Sequence, residues 1–157
     1  VNAEDFSMTR IPTAPLLLGL AGLIPFLWGA ITYVSPALAT WSADNLGTRF
    51  VGPYIQLAYG TVILSFMSGV LWGFATKADE VRAATGYALS VIPALWAFFM
   101  TGGGPVSAGI NLIFGFLGVL ILDYAFSTWG LTPAWWMRLR ILLTTIVVAC
   151  LAVGVLL

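Results

Sequence analysis

Apolar runs close to the roughly 20 residues needed to cross a bilayer's hydrocarbon core recur along the whole of this chain. No other feature narrows the fold as much. Of 157 residues, 61% are hydrophobic and 8% are charged, whereas an ordinary soluble domain is about 25% charged. In lipid every backbone N–H and C=O must be satisfied within the segment, so such runs fold as helices. The chain is therefore expected to be an all-α polytopic membrane protein, a bundle of five transmembrane helices. The spans are predicted at approximately residues 13–39, 53–76, 81–100, 105–127 and 133–157. They form one domain, residues 13–157, behind a polar N-terminal segment, residues 1–12. Pro53, Pro105 and Pro133 stand where helices start, which suits their missing N–H. Pro25 and Pro93 fall inside the first and third spans and are expected to kink them.

The first apolar run ends at Ala37-Leu38-Ala39, which imitates a signal-peptidase site. Its flank mixes Glu4 and Asp5 with Arg10, and it exceeds the usual apolar region of a signal peptide, so a retained span is expected. Loop cations set the orientation. With five spans, Arg10, Lys77, Arg82, Arg138 and Arg140 share one side and Arg49 stands on the other. The N-terminus is accordingly expected inside and the C-terminus outside, in a bacterial inner (cytoplasmic) membrane. The segment Ser35 to Gly52, with Trp41, Asp44, Arg49 and Phe50, is expected to lie at the outer interface.

Composition also narrows the chemistry. Six basic and six acidic residues cancel and no basic tract exists, so nucleic acid is not an expected partner. The sequence has no histidine, which removes the commonest general base and metal ligand. Its one cysteine, Cys150, lies deep in the last apolar run and reads as a small packing residue. Thr101-Gly-Gly-Gly-Pro105 lacks the Lys-Ser/Thr of a phosphate loop and reads as a tight turn. No nucleophile–base pair and no metal-ligand cluster occurs, so the expectation is a protein that is not an enzyme and carries no cofactor or metal.

Two constellations remain. In the second span, Thr61, Ser65, Ser68 and Trp72 step by four, three and four and share a helix face, with Gly60 and Gly69 beside them. Small and hydroxyl residues at that spacing suit a packing seam, or the polar side of a ligand groove. Gln56 and Tyr59, nearer the outer end, and Asn111 of the fourth span are expected to add hydrogen bonds between helices. The second constellation is LDYAFSTWGLTPAWWMRLRILL, Leu122 to Leu143. Asp123 is an acidic residue within an apolar span, and an intramembrane carboxylate requires a named partner. The candidates are Arg138 and Arg140, which point about 200° apart on a helix, so one is expected to pair while the other reaches lipid phosphate. Trp129, Trp135 and Trp136 fit an aromatic belt at headgroup level. The cluster reads as a structural ion pair and anchor.

Four segments carry a resemblance to a known family: IPTAPLLLGLAGLIPFLWGA, YGTVILSFMSGVLWG, IFGFLGVLILDYA and LTPAWWMRLRILLT. In order and spacing they resemble the bacterial inner-membrane proteins grouped as domain of unknown function 3429, to which the mitochondrial transmembrane protein 69 looks related. The family often places a histidine just before the Trp-Gly of the second span, where this chain has Leu71. The resemblance implies a five-span inner-membrane protein and no particular activity.

Two functions follow as expectations. The first is a non-catalytic accessory, assembly or stabilising subunit of a larger, energy-transducing membrane complex, with membrane lipids and other integral subunits as partners. The alternative is a binder or carrier of a small hydrophobic ligand such as a quinone, lipid or pigment, held against the Thr61–Trp72 face. A small transporter is the weaker alternative, since no charged path crosses the midplane.

Overall fold

The computed structural model describes residues 10–157; residues 1–9 of the polar N-terminal segment lie outside the described residues. Seven α-helices occur among them: α1 (Thr13–Ala21), α2 (Ile24–Val34), α3 (Pro36–Asn45), α4 (Tyr54–Ala75), α5 (Glu80–Met100), α6 (Pro105–Thr128) and α7 (Trp136–Leu156). α1 and α2 together form one membrane-length span, Thr13–Val34, and α4, α5, α6 and α7 are the other four. The spans close into a ring in the order α5, α4, α2, α7, α6, and α4 and α6 touch across its middle. α1 packs chiefly on α7, and none of its residues is buried.

The first span is shorter than its apolar run and is broken. The helix stops at Gly22 and Leu23 and restarts at Ile24, with Pro25 in the first turn of the new helix rather than in mid-helix. Proline lacks the N–H an interior position needs, and the first turn is where that lack costs nothing. The run then ends at Val34 instead of Ala39. Ser35 accepts the Leu38 N–H at 3.4 Å and Pro36 opens α3, so capping and proline chemistry divide one hydrophobic stretch into two helices. α3 and the short 3-10 turn Thr48–Phe50 are held down by Trp28. Its Nε1 donates to Phe50 O at 3.0 Å and to Ser42 Oγ at 3.3 Å.

The last span also starts later than its proline. Pro133 belongs to a turn, its carbonyl accepts the Trp136 N–H at 3.1 Å, and α7 begins at Trp136. At the start of α5, Asp79 caps through the Arg82 N–H at 2.9 Å. Pro93 lies within α5. The Ala94 N–H beside it donates at 2.8 Å to Ser68 Oγ of α4, so a hydroxyl of the neighbouring helix serves the disturbed turn.

Close approach of α4 and α6 is reciprocal. A Cβ on Gly60 would stand 2.8 Å from Leu112 Cδ1, and one on Gly115 would stand 2.8 Å from Leu64 Cδ1. Each helix thus receives a leucine of the other into a glycine, in the small-residue packing that replaces hydrophobic collapse in lipid. Leu64, Leu112, Phe116, Val119, Val147 and Leu151 fill the core around this crossing. Gln56 ties three spans together, donating from Nε2 to Phe26 O at 3.1 Å and to Cys150 O at 3.0 Å. Asn111 clasps α5 to α6 at their connecting turn: its Nδ2 donates to Met100 O at 2.8 Å and its main-chain carbonyl accepts from Trp96 Nε1 at 2.7 Å.

Candidate ligand-binding site

Asp123 sits five residues before the end of α6 and is fully buried. Each carboxylate oxygen has its own donor from α7: Trp136 Nε1 reaches Oδ1 at 2.9 Å and Arg140 Nε reaches Oδ2 at 2.7 Å. Trp136 and Arg140 stand four residues apart, one above the other on the same helix face. Of the two arginines expected to compete for this carboxylate, Arg140 is the one that pairs, 5% exposed inside the span. One sequence expectation is corrected. Trp136 does not turn its N–H to the headgroups; its ring packs edge-on against Phe74 at 5.1 Å, and its N–H goes to the buried carboxylate.

The other members of that cluster lie outside this contact. Arg138 is exposed. The Trp135 ring packs on Trp136 at 6.0 Å, and Trp129 packs on Phe126 at 5.4 Å. A cation does lie over Trp129, but it is Arg82 of α5, at 5.8 Å.

Above the ion pair lies a cavity of about 470 Å³ between α1, α2, α4 and α7. That falls within the ~300–1,000 Å³ range of small-molecule sites. It opens sideways, because its wall includes Leu18 and Phe66, which are 74% and 64% exposed on the lipid-facing surface. Six aromatic rings line it: Phe26, Tyr59, Phe66, Phe74, Phe116 and Trp136. Two polar side chains line it as well, Arg140 and Thr144. Arg140 Nη2 and Thr144 Oγ1 are buried and have no hydrogen-bond partner among the described residues. The neighbouring Thr145 shows what a satisfied helix threonine does: its Oγ1 donates back to Ile141 O at 2.7 Å. An unpaired buried polar group costs about 1–3 kcal/mol, so these two groups behind one wall are a standing cost to the fold.

The Thr61–Trp72 stripe does not form this site. Thr61 Oγ1 donates to Ala58 O at 2.8 Å and Ser65 Oγ to Thr61 O at 2.9 Å, so both hydroxyls serve their own helix. Ser68 reaches α5, Trp72 packs on Tyr87 of α5 at 4.6 Å, and a Cβ on Gly69 would meet nothing within 4 Å. α4 faces the cavity with a different set of residues, among them Tyr59, Ile63, Met67 and Val70.

The sequence does contain the pointer to the observed site. Trp136, Arg140 and Thr144 recur at intervals of four. That spacing stacks an indole N–H, a guanidinium and a hydroxyl along one stripe of a single helix. Thr144 went unnoticed because a threonine in an apolar run usually bonds to its own backbone.

With this geometry established, comparison with known proteins decides the family. Residues 11–156 match the family described as "Protein of unknown function (DUF3429)". The chain belongs to this family. DUF3429 relatives include a protein named "Transmembrane protein 69" from Xenopus tropicalis, 34% identical over 141 residues that cover 87% of this chain and 51% of that protein. Another, with the same name, is from Mus musculus, 30% identical over 141 residues, covering 86% of this chain and 52% of that protein. The chain thus spans about half the length of the curated relatives it matches. No solved structure matches. The family and the five apolar helices together make this DUF3429 member a multi-pass integral membrane protein.

Proposed function

We propose that this protein is a non-catalytic binder of a small hydrophobic molecule that enters the cavity sideways from the lipid. One observation carries the reading: a largely apolar cavity of about 470 Å³, lined by six aromatic rings, opens towards the lipid-facing surface beside Leu18 and Phe66, and behind its wall two buried polar atoms, Arg140 Nη2 and Thr144 Oγ1, have no partner among the described residues. Helix packing alone gives no reason to leave them so, since the Asp123 contact uses Arg140 Nε. Binding takes precedence over a role as accessory subunit of a larger complex. Exposed large apolar side chains are spread over every span, from Leu18, Ile31 and Phe66 to Phe98, Ile121 and Ile141, as lipid contact on all sides requires.

The test is extraction from native membrane in mild detergent, followed by mass spectrometry of the organic-soluble molecules retained. The purified protein is expected to hold one apolar species near one molecule per chain. Ile63→Trp and Val70→Trp, which fill the cavity from α4, are expected to lose most of it while keeping the unfolding temperature. Retention of nothing beyond bulk lipid in its bulk proportions, or retention indifferent to both substitutions, contradicts the reading.

A further inference from the structure

We infer that the occupant is an anionic membrane phospholipid, with one acyl chain in the cavity and its phosphate held at the mouth by Lys77 and Arg10; this rests on the binding reading above and makes it specific. Shape, polarity and charge each contribute to it.

The cavity starts where helices end. Pro15 stands in the first turn of α1, Phe74 in the last turn of α4, and Trp136 opens α7. From that end its wall runs about 16 Å along α7 to Val147 and about 22 Å along α4 to Tyr59. One leaflet supplies about 15 Å, half of the hydrocarbon core. At the far end Phe26 packs edge-on against Tyr59 at 5.3 Å and against Phe116 at 5.8 Å. A slot that begins at the interface, runs at least the depth of a leaflet and opens at its side has the form of one lipid chain. A molecule with two chains lodges one there and leaves the other in the bilayer past Leu18 and Phe66.

Polarity within the slot favours the same occupant. Arg140 Nη2 and Thr144 Oγ1 each expose less than 1 Å², so they do not receive a head group lodged inside. A polar head drawn into an apolar slot without a partner is costly. A phospholipid avoids this, because its head stays at the interface while only hydrocarbon enters.

Charge at the mouth selects the head. Lys77 follows the end of α4, is exposed, and has its Nζ 5.8 Å from the centroid of Phe74, a ring of the cavity wall. Arg10, also exposed, precedes α1 at the same end of the bundle. Neither forms an ion pair among the described residues. Asp79 and Glu80, the exposed carboxylates of this end, lie at the start of α5, which gives no residue to the cavity. Two cations without a facing carboxylate attract phosphate. A zwitterionic head brings its own ammonium against them, and a diacylglycerol brings no charge.

The test is native mass spectrometry of the full chain in mild detergent. The probes are phosphatidylglycerol, phosphatidylcholine and diacylglycerol, all with palmitoyl and oleoyl chains. Phosphatidylglycerol is expected to bind as one molecule per chain, at least about fivefold tighter than either of the others. Lys77→Gln combined with Arg10→Gln is expected to erase that margin while leaving diacylglycerol unchanged. Both positions are exposed, so a loss there reads charge rather than folding. Ile63→Trp and Val70→Trp, which fill the slot, are expected to weaken all three lipids at least about tenfold.

Equal binding of the three lipids, a phosphatidylglycerol margin that survives the double substitution, or phosphatidylglycerol binding indifferent to both tryptophan substitutions each overturns the phospholipid assignment. If a native apolar molecule is still lost on Ile63→Trp in that event, the binding reading stands and only the ligand class falls.

Discussion

Arg140→Leu is expected to destabilise the folded protein by about 3–5 kcal/mol, the cost of stranding a buried charge without its partner. Asp123 is fully buried, and among the described residues Arg140 is the one cation bonded to it. Trp136 remains as a neutral donor to Oδ1 but supplies no positive charge. The double substitution Asp123→Leu with Arg140→Leu is expected to recover most of that loss. Both desolvation costs disappear together, and apolar side chains of similar volume replace a buried pair at little or no net cost. Thermal unfolding in detergent micelles separates the cases. If single and double variants lose the same stability, the pair is not what holds α6 to α7.

Gly29→Ala is expected to be the next most damaging change, at about 1–3 kcal/mol, the usual cost of overpacking. A Cβ there would lie 2.5 Å from Gln56 Cγ and 3.0 Å from Ile55 Cγ2. Gln56 cannot swing aside freely, because its amide is fixed to Phe26 O on one helix and Cys150 O on another. The added methyl therefore separates α2 from α4 and loosens the contact with α7 through the same side chain. Gly69→Ala is the internal control. It meets nothing within 4 Å, and replacing a mid-helix glycine removes a propensity cost of up to about 1 kcal/mol. It is expected to be neutral or slightly stabilising in the same unfolding assay. Equal losses at Gly29 and Gly69 would refute the assignment of Gln56 as the tie between three spans.

The number and rough position of the spans were legible because lipid leaves a chain few options: an apolar stretch of the right length must be a helix, and proline marks where helices start. Finer boundaries were not, since the run from Thr13 to Ala39 is uniformly apolar and its division depends on local capping. Ser35 accepting the Leu38 N–H, and Pro36 just beyond it, end a span that hydropathy alone would extend.

The pairing of Asp123 with an arginine was legible too, because an intramembrane carboxylate limits its neighbours severely. Which arginine, and which way Trp136 faces, depended on how α7 is rotated against α6. Arg140 lies one turn inside α7, on the same stripe as Trp136, and that stripe faces Asp123 of α6. The stripe on α4 was legible as a packing seam or as one side of a groove, and Ser68 and Trp72 do meet α5 there. Hydroxyls at Thr61 and Ser65 looked like an unused polar surface, yet both bond to carbonyls of their own helix. The groups that have no partner among the described residues, Arg140 Nη2 and Thr144 Oγ1, sit on another helix. Partner satisfaction depends on three-dimensional neighbours, which residue spacing alone does not supply.

The most direct test of the central claim is a structure of the protein purified from its native membrane, at a resolution that shows density between α1, α4 and α7. The expected result is elongated non-protein density in the cavity, packed among its aromatic rings and leaving towards lipid past Leu18 and Phe66. A closed cavity, or one that holds no density beyond that of bulk lipid, would contradict it.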